Sequence, residues 1–399
     1  MFCRISCKVG SRTDVSSLLQ SLPLVLYHFL NVSSDGIPAP REEEEERLRG
    51  YFDYQTLMLK RSSRSKFMPN AYVFPGGVLA ESDCSAAWAE LFHSLGYTED
   101  DLEALVLKEV DRPFLMSKAE VRESLARDLA LRLTAIRETF EESGVLLYRG
   151  AGQSGAFSDP SHTQWLAAMR EKVQREPGAL LSVYQQLGVV PDLWALKEWA
   201  DWLTPTDLKE KGNRRFDTIF YCVQLESLPP SQEDQQEVTA LQWSEPALFL
   251  QQFYHHHLWL APPQVYELGK LLNFPRQSSV SEYCEKREGA GLSTWLPVRA
   301  ECSDGVVSLL PGDILYPAHP VYQTDSQHTN FHMKHGGSLA SSRGDGRQLN
   351  RLEFQKDFSD SQPMVSIALP NMLVTPLTFK QFQVGQNVTS MIKYILFTN

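Results

Sequence analysis

Ala135-Ile-Arg-Glu-Thr-Phe-Glu-Glu-Ser-Gly-Val145 is the stretch on which the reading of this chain turns. On a helix, Glu138 and Glu142 lie one turn apart on one face, with Glu141 beside them. Ile136 and Phe140 point the other way. The apolar positions Leu125, Leu129, Leu133, Ile136 and Phe140 recur at helical spacing. The pattern therefore predicts a helix within Val121–Val145, with Gly144 as its C-terminal cap. Three carboxylates this close repel one another and need neutralising. A hard divalent cation does so, since Mg²⁺ takes a few carboxylates together with waters and phosphate oxygens. Arg137 reaches Glu141 at i+4 and holds part of the cluster. An isolated R-E-x-x-E-E string reads more simply as a solvated helix face with one ion pair. The residues around it decide between the two.

Upstream, Gln55-Thr-Leu-Met-Leu-Lys60 and Ala71-Tyr-Val-Phe74 have strand character, and Pro75-Gly76-Gly77 breaks the chain sharply. Gly76 and Gly77 permit a tight backbone turn. Lys60 and Arg61, at a strand end, are candidate phosphate contacts. Residues 83 to 122 read as polar and mostly helical. Residues 160 to 203 read as amphipathic helices rich in tryptophan (Trp165, Trp194, Trp199, Trp202). Arg215 to Val223 and Val238 to Trp243 are strands by alternation. Helices follow from about Pro246 and from Pro262, since proline suits a first turn. Leu309 to Tyr316 reads as a late hairpin. Residues 1–50 form an N-terminal extension and linker ending in the acidic run Glu42 to Glu46. From residue 318 to 399 the composition is that of a partly flexible tail, so the chain beyond about Pro320 is expected to be dispensable.

The whole chain narrows the function classes. A net charge of −11 over 399 residues argues against a general nucleic-acid binder. An acidic protein acting on phosphates needs metal ions or a few placed cations. The six cysteines form no C-x-x-C pair, which points away from zinc ribbons and thioredoxin-like chemistry and toward a reducing compartment. No apolar run is long enough to span a bilayer, and Leu18 to Leu30 reads as an element of the fold rather than a signal segment. Nothing in the sequence fixes an oligomeric state.

Arg137-Glu-Thr-Phe-Glu-Glu-Ser-Gly-Val145 resembles the second half of the Nudix box, R-E-U-x-E-E-x-G-U, with Thr139 at a position usually aliphatic. The first half is out of register: its glycine would fall on Glu123 and its glutamate on Leu129. Taking Gly77 as the box glycine places about 46 inserted residues ahead of Arg137, centred on about 80–122. A split box of this kind is similar to the acyl-coenzyme A diphosphatase branch of the Nudix hydrolases. Five separated strings carry that likeness: Phe67-Met-Pro-Asn-Ala-Tyr-Val-Phe-Pro-Gly-Gly-Val78, Pro191-Asp-Leu-Trp-Ala-Leu196, Trp202-Leu-Thr-Pro205, Arg214-Arg-Phe-Asp-Thr218 and Trp259-Leu-Ala-Pro-Pro-Gln264. Together they cover roughly residues 51 to 317.

The resemblance implies a Nudix α/β/α sandwich with a mixed sheet over 51–317. It implies hydrolysis of coenzyme A and acyl-CoA to 3′,5′-ADP and (acyl-)4′-phosphopantetheine. It also implies Mg²⁺ or Mn²⁺ held by Glu138 and Glu142, with Glu141 and Arg137 in the catalytic machinery. A separate carboxylate can serve as base; Glu237, ahead of a strand, is the candidate, with Glu233 and Asp234 as rivals. Two other readings stand beside this one: a Nudix enzyme acting on capped RNA or a dinucleotide, and a Nudix-like interaction module without activity. The intact Glu138, Glu141 and Glu142 weigh against the second. The likeness carries the expectation of a peroxisomal address. The ending Phe397-Thr-Asn399 is not the tripeptide read for that address, so cytoplasmic or mitochondrial placement is the alternative.

Overall fold

The computed structural model describes residues 50–65, 68–106, 125–150, 152–205, 216–234, 236–318, 333–334, 337–344, 349–355, 364–367 and 393–398. Residues 1–49 of the expected extension 1–50, with Leu18 to Leu30, lie outside them, as do Phe67, Arg214 and Arg215.

The chain opens with β1 (Tyr54–Arg61) and β2 (Ala71–Val73). The Pro75-Gly76-Gly77 turn leads into a 3₁₀ turn at Glu81–Cys84 and two short helices, α1 (Ala87–Ser94) and α2 (Glu99–Glu103). These occupy the expected insertion. The acidic helix follows as α3 (Arg127–Ser143). It starts later than its periodicity suggests, leaving Leu125 buried ahead of its first turn. It ends as expected: Gly144 adopts φ +76°, a left-handed cap that glycine takes without penalty, and its amide bonds to Phe140 O at 2.9 Å.

Next come β3 (Leu147–Gly150), β4 (Gln153–Ala156), α4 (Thr163–Arg175), α5 (Ala179–Leu187), β5 (Val190–Pro191) and β6 (Lys197–Leu203). β6 corrects the expectation of tryptophan-rich helices up to residue 203. Trp199 and Trp202 share a face at a spacing of three, which imitates a helix. A register shift between Glu198 and Ala200, where β6 pairs with β7 (Asp217–Leu225), breaks the ordinary alternation and brings both indoles to one side.

β8 (Val238–Ser244), α6 (Pro246–Tyr254), β9 (Trp259–Leu260), α7 (Pro262–Leu271), α8 (Gln277–Arg287) and β10 (Thr294–Trp295) complete the main body. Prolines occupy the first turns of α6 and α7, where their missing amide costs no helical bond. The late hairpin is β11 (Val298–Cys302) with β12 (Gly305–Leu309), upstream of the expected Leu309 to Tyr316. The expected segment instead forms turns, with Asp313 N on Leu310 O and Tyr316 N on Asp313 O. Its alternation ends because Asp313 is needed as a buried anchor: it accepts bonds of 2.7 and 2.6 Å from Arg351.

Beyond these lie β13 (Met333–Lys334), α9 (Leu339–Ser342), β14 (Asn350–Gln355), β15 (Met364–Ile367) and β16 (Lys393–Thr398). All five fall within the span expected to be a tail. β14 pairs with β12 over five residues and buries Leu352 and Phe354 among the main core side chains.

The central sheet runs β10-β6-β7-β16-β1-β2-β9, with β8 also on β1. It is mixed: β1 is parallel to β16 and antiparallel to β2 and β8. Strand alternation builds one core on each face. Leu57 and Leu59 of β1 pack on the side of α3 with Leu133, Ile136 and Phe140. Tyr54 and Met58 pack on the other side with α6, α7 and α8. Helices therefore cover both faces of one mixed sheet, an α/β/α sandwich. Two smaller sheets, β13-β11-β12-β14-β15 and β4-β3-β5, flank it.

Candidate active site

The last two turns of α3 carry the acidic residues, and the loop after β2 lies against them. Glu142 is buried, and its Oε2 accepts the amide of Gly76 at 2.8 Å. Glu138 Oε1 accepts the amide of Val78 at 3.1 Å. Gly76 has φ +147°, and a Cβ built on Gly77 would stand 2.4 Å from the Glu138 carboxylate. The two glycines thus serve different needs: Gly76 a backbone conformation side chains resist, Gly77 a close approach to Glu138.

Arg137 is the hub and is itself buried. Its Nε donates to Asp83 Oδ1 at 3.0 Å, and its Nη2 to Asp83 Oδ2 at 2.9 Å and Val78 O at 2.8 Å. Its Nη1 lies 2.8 Å from Glu141 Oε1 and 2.9 Å from Glu138 Oε1. The i+4 contact to Glu141 is the one expected. The burial is not: a solvated face with one ion pair is excluded by a guanidinium only 2 % exposed. Burial works against the charge of Arg137, but Asp83 and the glutamates outweigh it and hold its pKa above the ordinary value.

The carboxylates feel the same burial. The pKa of Glu141 is pushed up to about 7 by burial, against the pull of Arg137. Burial also raises Glu138. Glu142 is raised well above the ordinary carboxylate range, by burial and then by the charge of Glu138. Such a site holds more negative charge than its own cations offset.

The other expected residues fall around this centre. Arg61 ends β1, whose Leu57 and Leu59 pack on the α3 side, and its charge acts on Glu142. Its guanidinium also donates to Ser65 Oγ, at 3.1 Å from Nε and 2.8 Å from Nη2. Lys60 sits across a register shift from Arg61, and among the described residues its ammonium makes no ion pair with the carboxylates. Glu237 is exposed, and its charge raises both Glu138 and Glu142, so it stands close to the pair. Its rival Asp234 is occupied in the loop: Oδ1 accepts the amides of Gln236, Glu237 and Val238 at 2.9, 3.0 and 2.8 Å.

Three participants carried no sequence signal. Asp83 lies in the insertion, outside any motif. Arg170 Nε and Gln174 Nε2, from α4, donate to Glu141 O at 2.9 and 2.8 Å. They satisfy a carbonyl of the last turn of α3, where helices leave such groups unpaired.

A divalent metal fits the donor set. Glu142 keeps Oε1 beyond its bond to Gly76, and Glu138 keeps Oε2. Among the described residues no three His, Cys, Asp or Glu groups converge on one point. Two carboxylates completed by water and substrate oxygens are the arrangement Mg²⁺ favours over an all-protein cage.

Comparison with known proteins shows the family. The NUDT19 Nudix domain family matches residues 33–271, and the NUDT19 C-terminal domain family matches residues 299–359. The second match includes β14. The acyl-coenzyme A diphosphatase NUDT19 of Gallus gallus is 40% identical over 295 residues, 70% of this chain and 77% of that protein. The human protein of the same name is 38% identical over 277 residues, 66% of this chain and 72% of its own length. A crystal structure of a NUDIX hydrolase from Alicyclobacillus acidocaldarius superposes with a TM-score of 0.40 at 24% identity, covering 57% of this chain and 86% of that one. From the family match over more than half its length and from these relatives, the chain belongs to the NUDT19 family of Nudix hydrolases.

Proposed function

We propose that this Nudix hydrolase cleaves the diphosphate of coenzyme A and acyl-CoA, giving 3′,5′-ADP and (acyl-)4′-phosphopantetheine. The observation that carries the reading is the Arg137–Glu138–Glu141–Glu142 cluster, buried at Arg137 and Glu142 and held against the Gly76–Gly77 turn. The substrate comes from the relatives, which are named acyl-coenzyme A diphosphatases.

Hydrolysis of a diphosphate needs charge neutralised on non-bridging oxygens and a water aimed at phosphorus. Mg²⁺ or Mn²⁺, held by Glu138 and Glu142, would supply Lewis acidity and lower the pKa of a bound water. The protein does the rest by positioning. Arg137 fixes the rotamers of Glu138 and Glu141 through one nitrogen, and Asp83 fixes Arg137 from behind. Gly76 N holds Glu142. Glu237 is the candidate to accept the proton of the attacking water at its carboxylate. Arg61 is the candidate contact for a substrate phosphate, with Lys60 a more distant one.

The test is purified protein with Mg²⁺ or Mn²⁺ and a panel of coenzyme A, acyl-CoA, dephospho-coenzyme A, ADP-ribose and capped RNA, with products read by mass spectrometry. Coenzyme A and its esters should be cleaved at the diphosphate, well ahead of the others. A clear preference for capped RNA or ADP-ribose would overturn the substrate assignment.

A further inference from the structure

Two thiols meet on the face of the sheet opposite α3. Cys222 of β7 points to the layer of α7 and α8, packed with Phe220 and Trp199, and is buried. Cys284 of α8 lies in the same buried layer, and the Ser281 Oγ one turn before it donates to Gln224 Oε1, two residues after Cys222 on β7, at 2.6 Å, which sets the two thiols against each other. Neither is in a disulfide. Both are buried, and they differ in what they face. Cys284 lines a cavity of about 240 Å³ together with Ser281, Lys197, Arg149, Gln224 and the exposed Glu285, whereas Cys222 is not among its walls.

The chemistry of the two thiols differs in the same sense. A hydrogen bond from Cys222 lowers the pKa of Cys284, against burial, and Lys270, Arg287 and Lys197 add to the effect. Burial raises Cys222 well above the ordinary thiol range, and donation to Cys284 adds to it. A reactive cysteine requires a stabilised thiolate with access to its partner; a resolving cysteine needs only to be adjacent. Burial raises Cys84 and Cys302, which are part-exposed and, among the described residues, are not paired with another thiol.

We infer that Cys222 and Cys284 form a thiol–disulfide exchange site that takes a low-molecular-weight disulfide from the cavity and closes into an internal disulfide joining β7 to α8. In the first step the Cys284 thiolate attacks one sulfur of the small disulfide. The S–S bond breaks, and one small thiolate leaves and takes up the proton that Cys284 lost. In the second step the Cys222 sulfur attacks the Cys284 sulfur, the mixed disulfide breaks, and the second small thiol leaves carrying the Cys222 proton. One small disulfide is reduced to two thiols while the protein dithiol is oxidised, so atoms and electrons balance. The link would run from the central sheet to the helix that helps wall the cavity.

The test uses the full chain with oxidised glutathione, followed by intact-mass and non-reduced peptide mapping. The expected product is a protein lighter by two hydrogens with one linked peptide pair, Cys222 with Cys284, reversed by dithiothreitol. Cys222→Ser should stop at a stable glutathione adduct on Cys284, and Cys284→Ser should leave Cys222 unmodified. If either variant fails to fold, the wild type decides through alkylation by iodoacetamide, where Cys284 should react at least roughly tenfold faster than Cys222. Glutathione retained on wild-type Cys284 without the link overturns the inference. So does modification of Cys84 or Cys302 while Cys222 and Cys284 stay reduced, or alkylation of Cys222 ahead of Cys284.

Discussion

Gly77→Ala separates the chemistry of this site from the stability of the fold. The backbone of Gly77 is not in the left-handed region, so alanine can adopt its conformation. The obstacle is space: the new methyl would stand 2.4 Å from Cδ and Oε2 of Glu138 and 2.5 Å from Oε1. A carboxylate at the end of a flexible side chain can move away, so the protein should fold. Moving costs Glu138 its bond to Val78 N at 3.1 Å and its contact with Arg137 Nη1 at 2.9 Å. A charge-assisted hydrogen bond contributes about 1.5–3 kcal/mol. If that positioning is expressed in the transition state, kcat should fall roughly ten- to a hundredfold. The melting temperature should shift by only a few degrees, about what 1 kcal/mol produces in a chain of this size. The assay is kcat and KM on coenzyme A with Mg²⁺, with a thermal melt of the same preparation. Full activity in the folded variant would show that the place of Glu138 does not matter. A large loss of stability would show that the turn itself, and not the carboxylate, requires glycine.

Glu142→Gln keeps the acceptor for Gly76 N and removes a buried charge, so kcat should drop by roughly a hundredfold or more while the melt stays level or rises. Asp83→Ala strips Arg137 of its buried partner and should cost on the order of 3 kcal/mol in chemical denaturation, with Asp83→Asn recovering part of it. Arg170→Ala combined with Gln174→Ala leaves Glu141 O without either side-chain donor. The pair should lower kcat more than it raises KM and should weaken Mn²⁺ binding measured by electron paramagnetic resonance; unchanged Mn²⁺ affinity would reduce the two residues to surface packing. A chain stopped at Pro320 loses β14 and with it the buried Leu352, Phe354 and Arg351, a loss of on the order of 5 kcal/mol or more. It should be insoluble or unfolded, and a soluble product with an unchanged melt would return those residues to the status of a tail.

The acidic helix, its glycine cap, the strands on either side of the Gly76–Gly77 turn and the prolines that open α6 and α7 were all legible in the residues. Each is set locally, by a repeat of about 3.6 or 2 and by backbone preferences that act within one turn. Likewise, the spacing of Glu138, Glu141 and Glu142 set their common face. What the string could not tell was whether that face meets solvent or protein. Its amphipathic pattern suits a surface helix, yet Arg137 and Glu142 are buried because residues 76–83 fold back over them, some sixty positions earlier in the chain. Asp83, Arg170 and Gln174 reach the site only through tertiary packing, and a lone carboxylate in the insertion or a lone guanidinium and amide on α4 has no local signature. Trp199 and Trp202 misled for a related reason: a bulge at Trp199 changes the period of β6, and it is defined only by the pairing with β7. The strands after residue 318 were illegible because their partners, β12, β1 and β7, are distant in sequence. β16 lies between β7 and β1, and β14 between β12 and β15, so each is fixed as a strand by neighbours that the chain brings together only on folding.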